Sequence, residues 1–155
     1  MCFYFIYSCA KLIDIMRINF VDLKRQYKTY KKELDNEIQQ VIDTSSFISG
    51  PKNKEFEKAF AKFCRRRYAV GVNSGTDALL LLLRAYGIGE GDEVITVPFT
   101  YIATAMVASC VGARPILVDV DKESYLIDST KIEEKITKKT KAIIPVHLYG
   151  QAADM

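Results

Sequence analysis

Residues 73–77, Asn73-Ser74-Gly75-Thr76-Asp77, stand between an apolar run and an unbroken row of leucines, Leu79 to Leu83. The stretch reads as a buried strand, a sharp glycine turn and the first turns of a buried helix. N–H groups at a helix start have no partner inside the helix, and the dipole adds partial positive charge there. A glycine lets an oxygen-rich group approach the backbone, and the Thr76 hydroxyl can donate one more hydrogen bond. Together these features make a seat for a phosphate. The same residues also spell a capping box, with Ser74 as N-cap and Asp77 as its partner. The motif alone therefore leaves a plain capped helix open. No lysine follows the glycine, so the pattern for a nucleoside triphosphate with magnesium is absent.

Further residues could act beside such a seat. Tyr101 opens the helix after the next strand, where an aromatic can cover a planar ring; a core or rim tyrosine is the plainer alternative. Offset stacking contributes about 0.5–1.5 kcal/mol beyond burial. His147 is the sole histidine. It can carry a proton or donate a hydrogen bond near neutral pH, or simply satisfy a loop carbonyl. Asp119 and Asp121 are better placed to shape a turn than to do acid–base work.

The elements that must position these residues follow from hydrophobic spacing. Leu23, Tyr27, Tyr30, Leu34, Ile38, Val41 and Ile42 form one stripe of a helix over 22–43. Ser49-Gly50-Pro51 stops it and starts a second helix over 52–64. That helix is expected to bury Phe56, Phe60 and Phe63. Strands are expected over 68–73, 93–97, 115–120 and 141–148. Helices are expected over 75–86, 101–111 and 129–138. Gly87-Ile88-Gly89-Glu90-Gly91 follows a helix and precedes a strand, the reverse of a dinucleotide fingerprint, so it reads as a helix C-cap and tight return. Alternating strands and helices with apolar strands predict an α/β fold. Its sheet should be mostly parallel with helices on both faces. Ligands in such sheets sit outside the carboxyl ends of the strands. Residues 73–76, 98–101, 119–121 and 147–150 would all lie on that rim.

Composition narrows the classes. The chain has 155 residues, 49% hydrophobic and 26% charged, the ordinary globular range. A net charge of +3 is too mild to argue for nucleic acid. Arg65-Arg66-Arg67 reads as a solvated helix end. Cys2, Cys9, Cys64 and Cys110 show no C-x-x-C spacing, and one histidine leaves no ordinary zinc site. Free thiols suit a reducing cytoplasm. Residues 1–16 differ from the rest: an apolar aromatic run without preceding positive charge, about half the roughly 20 residues that a membrane helix needs. They read as a non-native or misassigned leader with Met16 as the working start; an anchor or an added edge strand is the alternative.

Six stretches, in this order and spacing, carry a resemblance. They are Asn19-Phe20-Val21-Asp22-Leu23-Lys24, then Phe47-Ile48-Ser49-Gly50-Pro51, then residues 68–79 around the phosphate seat. Next come Gly89-Glu90-Gly91-Asp92-Glu93-Val94-Ile95 and residues 98–105, beginning Pro98-Phe99-Thr100-Tyr101. The last is residues 142–151, which contain Pro145-Val146-His147-Leu148-Tyr149-Gly150. From about residue 18 onward the sequence resembles the front of the DegT/DnrJ/StrS family of nucleotide-sugar aminotransferases. The resemblance implies a pyridoxal 5'-phosphate (PLP) enzyme of the aspartate-aminotransferase fold, fold type I, usually a homodimer. Residues 17–155 would be the N-terminal part of its PLP-binding large domain. Gly75 and Thr76 match the positions that bind the cofactor phosphate, and Tyr101 matches the aromatic that stacks on the pyridine ring. Ser74 and His147 are further candidates for the cofactor site.

Such enzymes move an amino group, usually from glutamate, to a keto group on a nucleotide-linked sugar, as in polysaccharide or other glycan biosynthesis. Arg65-Arg66 replaces a small turn residue common in the family. The Schiff-base lysine and the aspartate that pairs with the pyridine nitrogen fall beyond Met155 in the family pattern. No residue here is therefore assigned a catalytic role, and the chain alone is expected to be inactive. An inactive remnant, half of a split protein needing a partner, or a sugar dehydratase or lyase of the same fold are the alternatives.

Overall fold

The structure, a computed structural model, describes residues 19–155, and the expected leader at 1–16 lies outside them. The described residues fall into two compact units that divide between Ala69 and Val70.

The first unit holds two helices. Asp22 caps α1 (Leu23–Asp43), its carboxylate accepting the Arg25 N–H at 2.9 Å. At the other end the Thr44 hydroxyl donates to the Gln40 carbonyl at 2.8 Å. Pro51 sits in the first turn of α2 (Pro51–Phe63), where its missing N–H costs nothing. Gly50 precedes it because a Cβ there would lie 2.5 Å from the Ser46 carbonyl oxygen. Lys52 reaches back from α2 to pair with Glu37 on α1. The aromatic row of α2 departs from expectation. Phe56, Phe60 and Phe63 are exposed, Phe63 to 83%, and Ala61 is the buried residue of the helix. The rings lie against one another along the helix, with centroids 5.6 and 6.4 Å apart.

The second unit is a small α/β layer structure. In chain order it contains α3 (Gly75–Ala85), β1 (Glu93–Thr96), α4 (Ala103–Cys110), β2 (Arg114–Leu117) and β3 (Thr140–Ile143). The strands form one parallel sheet in the order β2-β1-β3. Val94 faces one side, where it packs with Leu83, Ile88, Val107, Ala108 and Ala113 from α3, α4 and their returns. Ile95 faces the other side, against Val97, Val118, Leu126, Ile127 and Ala153. β1 is buried along its whole length, whereas β2 and β3 are half-exposed edge strands. Pro115 in β2 suits an edge, since it cannot donate to a further strand.

Two expected elements are corrected. Residues 68–73 form no strand and take no regular structure, with Tyr68, Val70 and Val72 exposed. The expected helix over 129–138 is two single 3-10 turns, Ser129–Lys131 and Glu133–Lys135, with Ile136 already extended. The Asp128 carboxylate caps the first turn by accepting the Thr130 N–H and hydroxyl. Two short turns leave Ile132 free to pack on the Ile95 side of the sheet.

Candidate active-site rim

The glycine returns decide where the helix starts lie. Gly87, at φ +69°, lets α3 end with its own N–H on the Arg84 carbonyl and that of Ile88 on the Leu83 carbonyl, both at 3.0 Å. α4 ends in the same way at Gly112, where a Cβ would lie 3.4 Å from the Glu90 nitrogen. The two returns thus lie side by side and feed β1 and β2, and the Arg114 N–H reaches the Asp92 carbonyl at 2.9 Å. Both helices therefore run back from the opposite, carboxyl edge of the sheet. α3, with 11 residues, is about 16 Å long, and α4, with 8, about 12 Å. Their N-termini reach toward that same edge.

Hydrogen bonds hold the strand ends level there. The Val118 N–H donates to the Thr96 carbonyl and the Ile144 N–H to the Ile95 carbonyl, each at 2.8 Å. The buried Thr96 hydroxyl donates to the Ile144 carbonyl at 2.9 Å. The loops after β1, β2 and β3 leave from this edge, as the topology of an open parallel sheet requires.

At the start of α3 the capping box forms. The Ser74 hydroxyl oxygen accepts the Asp77 N–H at 3.1 Å, and the hydroxyl donates to the Asp77 carboxylate at 3.0 Å. Ser74 is thus engaged with its own helix. The Ala78 N–H is satisfied by the Ser74 carbonyl at 3.0 Å. The N–H groups of Gly75 and Thr76 remain without an acceptor among the described residues. A Cβ at Gly75 would meet nothing within 4 Å, so the approach to these donors is open. The Thr76 side chain is half-buried beside them. Two adjacent backbone donors, a hydroxyl and a helix N-terminus are a donor set that fits a phosphate monoester.

Tyr101 stands at the start of α4 with 76% of its surface exposed, and its ring stacks on no other aromatic among the described residues. Its carbonyl accepts the Thr104 N–H at 3.0 Å. Thr100 and Thr104, which flank it in sequence, join hydroxyls at 3.0 Å. These threonines carry no motif of their own, and their i, i+4 spacing across a helix start is the one signal that could have singled them out. His147 Nδ1 accepts the N–H of buried Ala153 at 3.0 Å, so it is tied to backbone here. Asp121 shapes a turn: its carboxylate accepts the N–H groups of Ser124 and Glu123 and the Ser124 hydroxyl. Those bonds, Ser124's foremost, stabilise the charged carboxylate and hold its pKa below the usual carboxylate range. Asp119 accepts the N–H of its neighbour Val120.

A parallel sheet with two helix N-termini turned to its carboxyl edge defines an α/β protein. The chain belongs to the DegT/DnrJ/EryC1/StrS aminotransferase family, whose profile matches residues 28–155. It is 48% identical over 138 residues to a dTDP-3-amino-3,6-dideoxy-alpha-D-galactopyranose transaminase of Aneurinibacillus thermoaerophilus, covering 89% of this chain and 38% of the relative. Among solved structures it is similar to DesV of Streptomyces venezuelae in complex with a ketimine intermediate. That match has a TM-score of 0.85 at 45% identity and covers 89% of this chain and 37% of that one. A third match is NtdA from Bacillus subtilis with bound cofactor PMP, at a TM-score of 0.82 and 37% identity over 89% of this chain and 32% of that one. These neighbours are fold type I aminotransferases. The chain spans only about a third of the length of the relatives it matches.

Proposed function

We propose that residues 17–155 supply the phosphate-binding and ring-covering side of a PLP site in a nucleotide-sugar aminotransferase. The observation that carries this reading is the pair of open N–H donors at Gly75 and Thr76, placed on the same sheet edge as the exposed Tyr101. Gly75, Thr76 and the Thr76 hydroxyl would hold the phosphate, and Tyr101 would cover the ring. Ser74 would keep the helix start in shape through Asp77. His147 would border the ring from the loop after β3. When bound, the cofactor supplies an electron sink for moving an amino group. This chain's residues bind it, orient it and exclude water from one face.

In the complete reaction the amino group would pass, with glutamate as donor, to a keto group on a nucleotide-linked sugar. Transaminase relatives favour amino transfer over the dehydratase or lyase reading. A cytoplasmic homodimer is part of the same proposal; among the described residues no helix is long and apolar enough to cross a membrane. No lysine of this chain stands in the family's covalent-anchor motif. Glutamate and PLP added to the 155-residue chain should therefore give no turnover. Sustained conversion, followed by cofactor absorbance, would contradict this.

Pyridoxamine phosphate (PMP) tests the seat without side reactions at surface lysines, because it has no aldehyde. Thr76→Ala should remove a hydrogen bond to a charged group, about 1.5–3 kcal/mol, or roughly 10- to 150-fold in PMP affinity. An unchanged Kd in a fluorescence titration overturns the assignment.

A further inference from the structure

We infer that the hydroxyl pair of Thr100 and Thr104 is a clamp that sets the pose of Tyr101, making both threonines positioning residues for the ring cover. The inference rests on the PLP-site reading above and deepens it. Tyr101 is 76% exposed and stacks on no other aromatic among the described residues, so its own side chain has little to fix it. Its direction must come from the backbone on either side. On the C-terminal side its carbonyl takes the Thr104 N–H at 3.0 Å. On the N-terminal side Thr100 turns through its N–H on the Pro98 carbonyl at 3.1 Å. The hydroxyls of Thr100 and Thr104, 3.0 Å apart, close these two anchors into one short loop with Tyr101 at its tip.

The helix start itself offers no substitute. The N-cap of α4 is Ile102, which has no side chain able to cap. Thr104 is 7% exposed, so its hydroxyl lies away from solvent with Thr100 as its partner. Valine keeps the volume of threonine at either position and removes the bond. Serine keeps the bond.

The test titrates the full chain with PMP and reads two quantities: the Kd, and the emission of bound PMP at saturation, which a stacked tyrosine quenches. Tyr101→Ala should weaken binding about tenfold and abolish the quench, in line with the upper range of offset stacking. Thr104→Val and Thr100→Val should each weaken binding about three- to fivefold and restore part of the emission, and the double valine variant should do no more than either alone. Thr104→Ser should behave as wild type. Combined with Tyr101→Ala, Thr104→Val should add nothing. A merely structural threonine would alter the fraction bound but leave the emission of bound PMP unchanged, and that result overturns the clamp. So does a Thr104→Val effect that persists in the Tyr101→Ala background. If instead Thr76→Ala leaves PMP affinity unchanged, the phosphate-seat reading falls and the clamp falls with it. Urea unfolding of each variant, with unchanged cooperativity, confirms that the folded forms are being compared.

Discussion

β1 and residues 68–73 are written in similar letters, yet only one is a strand. Glu93-Val94-Ile95-Thr96 is buried throughout and hydrogen-bonded on both sides. Tyr68-Ala69-Val70-Gly71-Val72-Asn73 is as apolar but has no regular structure and is largely exposed. β-propensity describes a residue's fit to a pleated, half-buried surface. The pattern can therefore name a segment as strand-like without naming its neighbour. β1 has β2 and β3 beside it and a helical layer over Val94.

The comparison can be broken most directly by truncation. Ile95 is fully buried, so Ile95→Ala should cost about 2–5 kcal/mol in urea unfolding. Val70 is 79% exposed, so Val70→Ala should stay within about 0.5 kcal/mol. Equal losses would mean that residues 68–73 are packed as β1 is. A smaller effect sharpens the cross-strand link. Thr96→Val should cost about 1–3 kcal/mol, because the Ile144 carbonyl loses its buried donor. A neutral result would show that this carbonyl is served by water.

The smallest effect lies at the turn after β2. Asp121 is held below the ordinary carboxylate range by Ser124. A depressed folded pKa stabilises above the unfolded value of about 3.9 and loses that contribution as pH falls through the folded one. Asp121→Asn should therefore lower stability slightly at neutral pH, and the difference from wild type should fade as pH falls below about 4. A difference that persists undiminished in acid would contradict the charged turn role.

Much of the fold was legible because local rules settle it. The Ser74 cap, Pro51 in a first turn and Gly87 after α3 each place a helix end within a residue or two. Less legible were features that need a partner. Spacing put Phe56, Phe60 and Phe63 on one face but could not say whether anything covers it. The 129–138 stretch has helical charges. Asp128 nevertheless caps a tight turn, and Ile132 and Ile136 are β-branched residues that lose rotamer freedom in a helix. At the rim, Gly75, Thr76 and Tyr101 stood out by type and position. Thr100 and Thr104 did not, because a hydroxyl pair is invisible until the backbone brings its two members together.

The bond between His147 and Ala153 also has a directional consequence. A neutral imidazole has one nitrogen with a proton and one with a lone pair. Nδ1 spends its lone pair on the Ala153 N–H, so the proton belongs to Nε2. Whatever meets this ring at the sheet edge meets a donor. A group that needs to give up a proton here would find no acceptor on His147 until the chain around Ala153 lets go.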